Sequence, residues 1–353
     1  MLFFCCRYQC RSPIKDLFVL KNTLLSFTFS TLCLSTCAAA FDIIAHRGAS
    51  GYLPEHTLEA ATLAFAQQPD YIEQDVVATK DGELVVLHDI HLDTVTNVAA
   101  KFPGRARDDG RWYALDFTLA ELRTLQVKER ADTAGKQVFA NRYHGSKALF
   151  TIATLDEHIE LISELNREFN SNIGFYTEIK SPAWHKKEGT DISQLLLDTL
   201  ARYDLNGGNA NIYVQCFDFA EVKRLRDELG FKGKIVLLLA DNSWGESPTD
   251  YQALLTEQGM HDIAKYADGV GPWLPQLLDM KALQQGKVVP ASWLATAKKE
   301  GLIIHPYTFR IDALPTGMTA EKILGLLTGP LAVDGVFTDQ VPPVKSFLQH
   351  SGK

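Results

Sequence analysis

Residues 71–88 read YIEQDVVATKDGELVVLH. The first part, Tyr71–Val77, is a short run of apolar and β-branched residues, which is typical of a parallel strand buried on both faces. Glu73 and Asp75 stand two positions apart in this run, so their side chains point to the same face of the strand. The stretch therefore predicts a buried strand that carries two carboxylates on one face.

Seven further runs of this kind recur along the chain, and helical patterns lie between most of them. Two helices have clear start signals: a capping box at Thr154, and Asp218, whose helix should stop at Gly230. Eight strands alternating with helices predict an α/β protein with a (β/α)8 TIM-type barrel. A doubly wound sheet would need GxGxxG after the first strand, where residues 46–51 read HRGASG. The seven runs are Ile43–Ala45, Phe175–Ile179, Ile212–Cys216, Ile235–Leu239, Ala267–Gly271, Leu302–His305 and Gly335–Thr338.

Two features interrupt the alternation. Asp81-Gly82 between apolar runs predicts a two-residue hairpin loop, and pairing Lys80 with Glu83 then places His88 opposite Asp75. Residues 91–150 form a long polar stretch, too long for a barrel loop. We expect them to form a small inserted subdomain over the barrel mouth, with a helix start at Thr118-Leu119-Ala120-Glu121. The barrel domain would then span residues 41–350.

The first 40 residues have the pattern of an export signal. Four basic residues precede or open an apolar stretch from Leu24 to Cys37, and small residues follow at 38–40. We expect cleavage after Ala40 and a periplasmic mature chain without a transmembrane segment. An uncleaved anchor is disfavoured because the apolar stretches are shorter than the roughly 20 residues that a spanning helix needs. Lipid attachment at Cys37 ranks second, because Thr36 is an unusual residue before such a cysteine.

Charge and cysteine content exclude further classes. Removal of residues 1–40 takes away four basic residues and one acidic residue, which changes the net charge from −8 to −11. An acidic chain of this kind lacks the basic face that a nucleic acid would need. Five of the six cysteines lie in the removed segment, so Cys216 has no partner for an internal disulfide. We interpret Cys216 as a small buried residue and not as a nucleophile.

Active sites of such barrels lie at the C-terminal ends of the strands. The polar residues expected there are His46, Arg47, Glu73, Asp75, His88, Glu178 and Lys180. Three carboxylates that face one another repel unless a cation lies among them, and all-oxygen ligands favour Ca²⁺ or Mg²⁺ over zinc. Two histidines beside a metal-bound phosphate could act as general base and general acid, with Arg47 and Lys180 supplying positive charge to it.

At these positions the chain resembles the glycerophosphodiester phosphodiesterase family, in particular its exported, periplasmic-type members. The matching motifs span nearly the whole mature region. They are IIAHRGASGYLPEHT at 43–57, EQD at 73–75, LHD at 87–89, EIK at 178–180, PYTFR at 306–310 and FTD at 337–339.

The resemblance implies a barrel fold with an inserted subdomain. It also implies an enzymatic activity. That activity is hydrolysis of glycerophosphodiesters, such as glycerophosphocholine and glycerophosphoethanolamine, to sn-glycerol 3-phosphate and an alcohol. It also implies a divalent metal ion, with Ca²⁺ favoured over Mg²⁺. The implied roles are metal binding by Glu73, Asp75 and Glu178, acid/base catalysis by His46 and His88, phosphate binding by Arg47 and Lys180, and a position at or near the metal for Glu55.

Weaker candidates would line the pocket. Gln215 and Asp339 lie at strand ends, although Asp339 could equally cap the following turn. Trp273 and Phe309 could receive a choline or ethanolamine head by a cation–π contact, and core packing is the alternative that we favour for either ring.

Two other functions compete with hydrolysis of small diesters. A non-catalytic surface or periplasmic binding protein could use the same barrel, but such chains usually lose a metal carboxylate or a histidine. A phospholipase that acts on intact lipids would need an apolar rim around its active site. Residues 101–111 of the inserted segment read KFPGRARDDGR and are strongly polar. Small glycerophosphodiesters are therefore the expected partners, and the sequence leaves the oligomeric state open.

Overall fold

The computed structural model describes residues 41–352, so the predicted signal peptide and Cys37 lie outside the described residues. Nine strands form one sheet. In chain order they are β1 Asp42–Ala45, β2 Tyr71–Ala78, β3 Leu84–Val86, β4 Gly174–Ile179, β5 Ile212–Cys216, β6 Lys234–Leu239, β7 Gly269–Pro272, β8 Ile303–Ile304 and β9 Gly335–Thr338. All eight predicted parallel strands are present, and β3 is the returning arm of the hairpin.

The eight parallel strands form a nearly closed barrel. Their order is β8-β7-β6-β5-β4-β2-β1-β9, with β3 antiparallel to β2. The regular ladder is missing only between β8 and β9. There the Asp334 amide donates to the Ile304 carbonyl at 3.0 Å, and the Phe309 amide donates to the Phe337 carbonyl at 2.8 Å. The predicted (β/α)8 architecture is confirmed.

Helices cover the outside of the barrel and join successive strands. The capping boxes predicted at Thr154 and Thr118 are both present. Asp218 caps its helix as expected, although that helix ends at Asp227, before Gly230. The helices are α1 Leu58–Gln67, α2 Val98–Lys101, α3 Leu119–Leu122, α4 Leu155–Phe169, α5 Pro182–Lys187, α6 Ile192–Arg202, α7 Phe219–Asp227, α8 Tyr251–Leu254, α9 Glu257–Ile263, α10 Met280–Gln284, α11 Trp293–Lys299, α12 Ala320–Thr328 and α13 Val341–Ser351. Within residues 41–352, no helix is both long and apolar enough to cross a membrane.

The hairpin register differs by one residue from the prediction. Val76 pairs with Val86 and Ala78 with Leu84, so Leu87, and not His88, reaches the level of Asp75. The loop has three residues, with Gly82 at φ +84°, which is the geometry of a type I turn followed by a left-handed residue. In this loop the Asp81 carboxylate accepts the Leu119 amide at 2.9 Å, at the first turn of α3. The predicted two-residue loop was wrong.

Residues 91–150 contain short helices and a hydrophobic cluster of their own. Leu92, Phe117 and Leu125 are buried in this cluster together with Val77 and Val85 of the hairpin. The cluster is separate from the main core that packs between barrel and helices. The outward face of the hairpin thus gives this segment an apolar surface to pack on.

Candidate active site

An open pocket lies at the C-terminal ends of the barrel strands, where TIM-barrel enzymes place their active sites. Of the sequence-predicted site residues, seven line it: His46, Arg47, Glu73, His88, Glu178, Gln215 and Trp273. The remaining lining residues are Phe217, Leu238, Trp244, Glu246, Tyr307, Thr308, Arg310 and Phe337.

Three buried carboxylates converge beside the pocket, and two of them, Glu73 and Glu178, line it. One oxygen from each of Glu73, Asp75 and Glu178 lies within 4.8 Å of the other two. The β2–β4 register places Asp75 directly beside Glu178. Burial and then the neighbouring Asp75 raise the pKa of Glu73 well above its usual value, and burial raises the pKa of Glu178 to about 8 despite Lys180.

The donor set of this cluster fits a divalent cation. Asp75 Oδ1 is buried without a hydrogen-bond partner among the described residues. A buried acceptor of this kind costs free energy unless something pairs with it. Three carboxylates with a free oxygen are the ligands of a hard ion such as Ca²⁺ or Mg²⁺.

His46 is held by an aspartate from the opposite end of the chain. Its Nδ1 lies 2.5 Å from Asp339 Oδ1, and its Nε2 lies 3.7 Å from Glu73 Oε2. Burial, followed by the charge of Arg47, lowers the pKa of His46 to about 4, against the opposing effect of Asp339. The ring therefore presents Nε2 on the side of the carboxylates.

His88 is held in the same way by its neighbour in sequence. Its Nδ1 lies 2.6 Å from Asp89 Oδ1. Burial, followed by the charges of Arg47 and Lys180, lowers the pKa of His88 to about 3. The side chain reaches the pocket although the predicted strand register was wrong, because His88 lies beyond the end of β3 and outside the ladder.

The two predicted phosphate-binding cations lie on either side of the carboxylates. Arg47 lines the pocket, and its backbone amide donates to Glu73 Oε2 at 2.9 Å. Lys180 does not itself line the pocket; its Nζ lies 2.7 Å from Glu178 Oε1.

The weaker candidates separate into two groups. Gln215 donates to Glu73 Oε1 at 2.8 Å, and Trp273 packs edge-to-face on Trp244 with ring centroids 5.0 Å apart. Glu55 does not line the pocket, and it accepts hydrogen bonds from Arg47. Phe309 is not a pocket residue, because its side chain is 1% exposed and belongs to the main hydrophobic core.

Several contacts of the site were not predicted. Both expectations for Asp339 were wrong, since it does not line the pocket and its carboxylate contacts His46, Arg142 and Arg310 instead of capping the following turn. The motifs FTD and PYTFR contained Asp339 and Arg310, so their positions at strand ends were a usable signal. His56 contacts Asp75 Oδ2 at 2.7 Å, and nothing in the spacing of His56 indicated this contact.

Sequence comparisons find a family model and relatives that match most of this chain. The profile of the glycerophosphoryl diester phosphodiesterase family matches residues 46–342. The chain is 41% identical over 315 residues to the glycerophosphodiester phosphodiesterase of Haemophilus influenzae, which covers 84% of this chain and 86% of the relative. It is 35% identical over 335 residues to the protein of the same name from Treponema pallidum, which covers 90% and 94%.

Solved structures share the fold at lower identity. A glycerophosphodiester phosphodiesterase from Thermotoga maritima superposes with a TM-score of 0.54 at 20% identity, covering 88% of this chain and 98% of that one. A phosphodiesterase of Oleispira antarctica, solved with the product sn-glycerol-3-phosphate, gives a TM-score of 0.57 at 19% identity and covers 87% and 96%. At these identities the likeness supports the barrel alone.

Proposed function

This chain belongs to the glycerophosphoryl diester phosphodiesterase family, and we propose that it hydrolyses its substrates with one divalent metal ion and two histidines. It is an enzyme that converts glycerophosphodiesters to sn-glycerol 3-phosphate and an alcohol. One observation carries the proposed mechanism: a buried three-carboxylate cluster shares a pocket with two histidines, each held through Nδ1 by an aspartate.

Glu73, Asp75 and Glu178 would hold the metal ion, with Ca²⁺ favoured and Mg²⁺ the alternative. A bound ion supplies Lewis-acid polarisation of a phosphoryl oxygen. Arg47 would bind a non-bridging phosphate oxygen, since it lines the pocket and carries a positive charge. Lys180 would contribute positive charge from behind Glu178, with which it is paired.

The two histidines would move the protons of the reaction. A new P–O bond forms to the attacking oxygen while the P–O bond to the leaving alcohol breaks. One histidine accepts the proton of the attacking oxygen, and the other donates a proton to the leaving alcohol oxygen. The attacking oxygen belongs either to water or to the adjacent glycerol hydroxyl. In the second case the first product is a cyclic phosphate, which water must then open to sn-glycerol 3-phosphate, and trapping of the cyclic phosphate would distinguish the two.

An aromatic corner of the pocket suits a cationic alcohol. Trp244 and Trp273 form an edge-to-face pair, and Glu246 lies on the same wall. A quaternary ammonium is attracted to an indole face and to a carboxylate. In this proposal Trp244, Trp273 and Glu246 receive the choline or ethanolamine part of the substrate.

The alcohol preference is tested by comparing kcat/KM for glycerophosphocholine with that for the neutral glycerophosphoglycerol. Trp244→Ala and Trp273→Ala should lower the choline value by about 5-fold or more relative to the neutral diester, as expected for a loss near 1 kcal/mol. Trp273→Phe keeps a ring and should retain most of the preference. An equal loss on both diesters would contradict a cation-selective corner.

The reaction and the cofactor are tested together by release of sn-glycerol 3-phosphate from glycerophosphocholine. The chain from Phe41 onward is stripped with a chelator and refilled separately with Ca²⁺ and Mg²⁺. We expect release to vanish on stripping and to return with Ca²⁺. Full activity after exhaustive stripping would contradict a metal-dependent reaction. Cleavage of intact phospholipid to phosphatidate or diacylglycerol, with no release from the small diester, would favour a lipid hydrolase.

Export to the periplasm is proposed from the pattern of residues 1–40. The test is expression of the full chain in a Gram-negative bacterium, followed by fractionation and N-terminal sequencing. We expect a periplasmic chain that begins at Phe41. A lipid-modified chain that begins at Cys37 would support the second alternative, and an uncut cytoplasmic chain would contradict export.

A further inference from the structure

We propose that Arg130 and Arg142 are positioning residues that hold the two histidines of the pocket in their reactive orientation, each through an aspartate. Both arginines come from segment 91–150 and neither lines the pocket. The inference rests on the proposed acid/base roles of His46 and His88. It gives the inserted segment a role in completing the active site.

Arg142 acts on His46 through Asp339. Its Nη2 donates to Asp339 Oδ2 at 2.6 Å, while Asp339 Oδ1 contacts His46 Nδ1. The guanidinium also donates to Asp312 from Nε at 2.8 Å, and it stacks over the Phe139 ring at 3.6 Å from the centroid. With a side chain only 4% exposed, Arg142 is fixed on several sides and fixes Asp339 in turn.

Arg130 acts on His88 through Asp89. Its Nη1 donates to Asp89 Oδ2 at 2.6 Å, while Asp89 Oδ1 contacts His88 Nδ1. The other edge of the guanidinium makes a bidentate contact with Glu55. Nε donates to Glu55 Oε2 at 2.9 Å, and Nη2 donates to Glu55 Oε1 at 2.6 Å. Glu55 also accepts a hydrogen bond from Arg47.

The two arrangements have the same physical logic. A guanidinium that occupies one carboxylate oxygen leaves the other oxygen directed at the histidine, which fixes the ring and favours a proton on Nδ1. Nε2 then stays free to exchange protons with the substrate. The arrangements differ in the number of cations that contact the aspartate. Asp339 Oδ2 also accepts a hydrogen bond from Arg310 Nε at 2.7 Å. Among the described residues, Arg130 is the one arginine or lysine that forms an ion pair with Asp89.

The test compares Arg130→Gln and Arg142→Gln with Arg107→Gln. Arg107 lies in the same segment and forms a two-pronged pair with Asp116 at 2.8 Å, with no contact to either histidine, so it is the matched control. We expect kcat to fall by about 10- to 100-fold in the two test variants, with KM changed by less than about 3-fold. Arg130→Gln should lose more than Arg142→Gln, because Arg310 remains on Asp339.

Lysine variants and histidine spectra separate positioning from general damage. Arg130→Lys and Arg142→Lys keep the charge on the aspartate and should recover part of kcat. In ¹⁵N spectra of labelled histidines, Arg142→Gln should change the ring-nitrogen signals of His46 alone, and Arg130→Gln those of His88 alone. These spectra need no turnover, so they test the orientation even if the proposed catalytic roles fail.

Three results would overturn the inference. The first is unchanged kcat in folded Arg130→Gln and Arg142→Gln. The second is an equal loss in Arg107→Gln, which would mean that any broken ion pair in the segment is harmful. The third is ring-nitrogen signals that stay unchanged in both variants. By contrast, turnover in His46→Ala or His88→Ala near that of the wild type would contradict the proposed acid/base role of that histidine, on which the inference rests.

Discussion

At the scale of single residues, the two histidines of the pocket owe their orientation to carboxylates of very different origin. Asp89 follows His88 directly in the chain, whereas Asp339 is 293 positions away from His46. Both contacts involve Nδ1. Because the hydrogen bond at one ring nitrogen determines which nitrogen carries the proton, the two aspartates favour a proton on Nδ1 in both rings.

His46→Ala and His88→Ala should each lower kcat by about 10²- to 10⁴-fold while the fold is retained, because a positioned acid or base supplies that much of the rate. Turnover of glycerophosphocholine and circular dichroism are the measurements. His144→Ala is the control, since His144 is exposed in the inserted segment and does not line the pocket. Activity near that of the wild type in either test variant would remove that histidine from the mechanism.

Glu129 predicts a pH dependence of stability. Burial, reinforced by Glu55 and Asp339 and opposed by Arg142, raises its pKa to about 7. Its Oε2 has no hydrogen-bond partner among the described residues. When the pKa of a carboxyl is higher in the folded than in the unfolded state, the folded protein loses stability as the pH rises. The loss occurs between the unfolded-state pKa, near 4.5, and the folded-state pKa, about 7.

Glu129→Gln should therefore be more stable than the wild type at pH 8, by about 1–2 kcal/mol after allowance for solvent screening. At pH 4.5 the two proteins should differ little. Urea unfolding at both pH values measures the difference, with the exposed Glu168→Gln as control. A difference that does not change with pH would show that titration of Glu129 is not its cause.

At the scale of elements, the β2–β3 hairpin links the barrel to the inserted segment. Its three-residue loop lets Asp81 cap α3, and its outward face carries Val77 and Val85 into the second hydrophobic cluster. A two-residue loop would shift the pairing by one residue, and such a shift turns every side chain of β3 to the opposite face. The loop therefore decides which face of β3 the inserted segment can cover.

Gly82→Ala should destabilise the protein by about 1 kcal/mol, because Gly82 has φ +84° and a left-handed conformation is costly for an L-residue. The added Cβ would meet no heavy atom within 4 Å, so the cost is conformational and not steric. Gly104 is the matched control, since its Cβ would also be free and its φ is not positive. Urea unfolding should show a loss for Gly82→Ala and none for Gly104→Ala; equal effects would contradict a conformational origin.

At the scale of the whole molecule, the barrel brings three carboxylates from two neighbouring strands to a single point. Residues 75 and 178 are far apart in sequence but adjacent in register. Without a cation their mutual repulsion and burial oppose folding, and a bound ion would relieve both. Metal binding should therefore stabilise the folded chain.

Addition of Ca²⁺ at about 100 times its dissociation constant should stabilise the stripped protein by about 2.7 kcal/mol, seen as a rise in Tm of several degrees. Glu73→Gln should lose most of this rise, because one of the three ligands is gone. Glu168→Gln removes an exposed carboxylate far from the cluster and should keep the full rise. A rise of equal size in Glu73→Gln would place the ion elsewhere.

The sequence by itself determined the architecture and most of the pocket chemistry. Apolar runs fixed the eight barrel strands, because a strand buried on both faces must be apolar almost throughout. Strand-end positions then identified the carboxylates, both histidines and Arg47, because the carboxyl ends of parallel strands meet at one rim. These properties are local, so they can be read along the chain.

Only the tertiary structure decided which side chains contact and hold those site residues. The roles of Arg130, Arg142 and His56 depend on which carboxylate each one meets, and no spacing along the chain encodes such contacts between distant segments. The same holds for the hairpin loop, where Asp81 contacts the Leu119 amide of α3. Contacts between distant segments exist only once the chain is packed, because burial and ion pairing depend on three-dimensional neighbours.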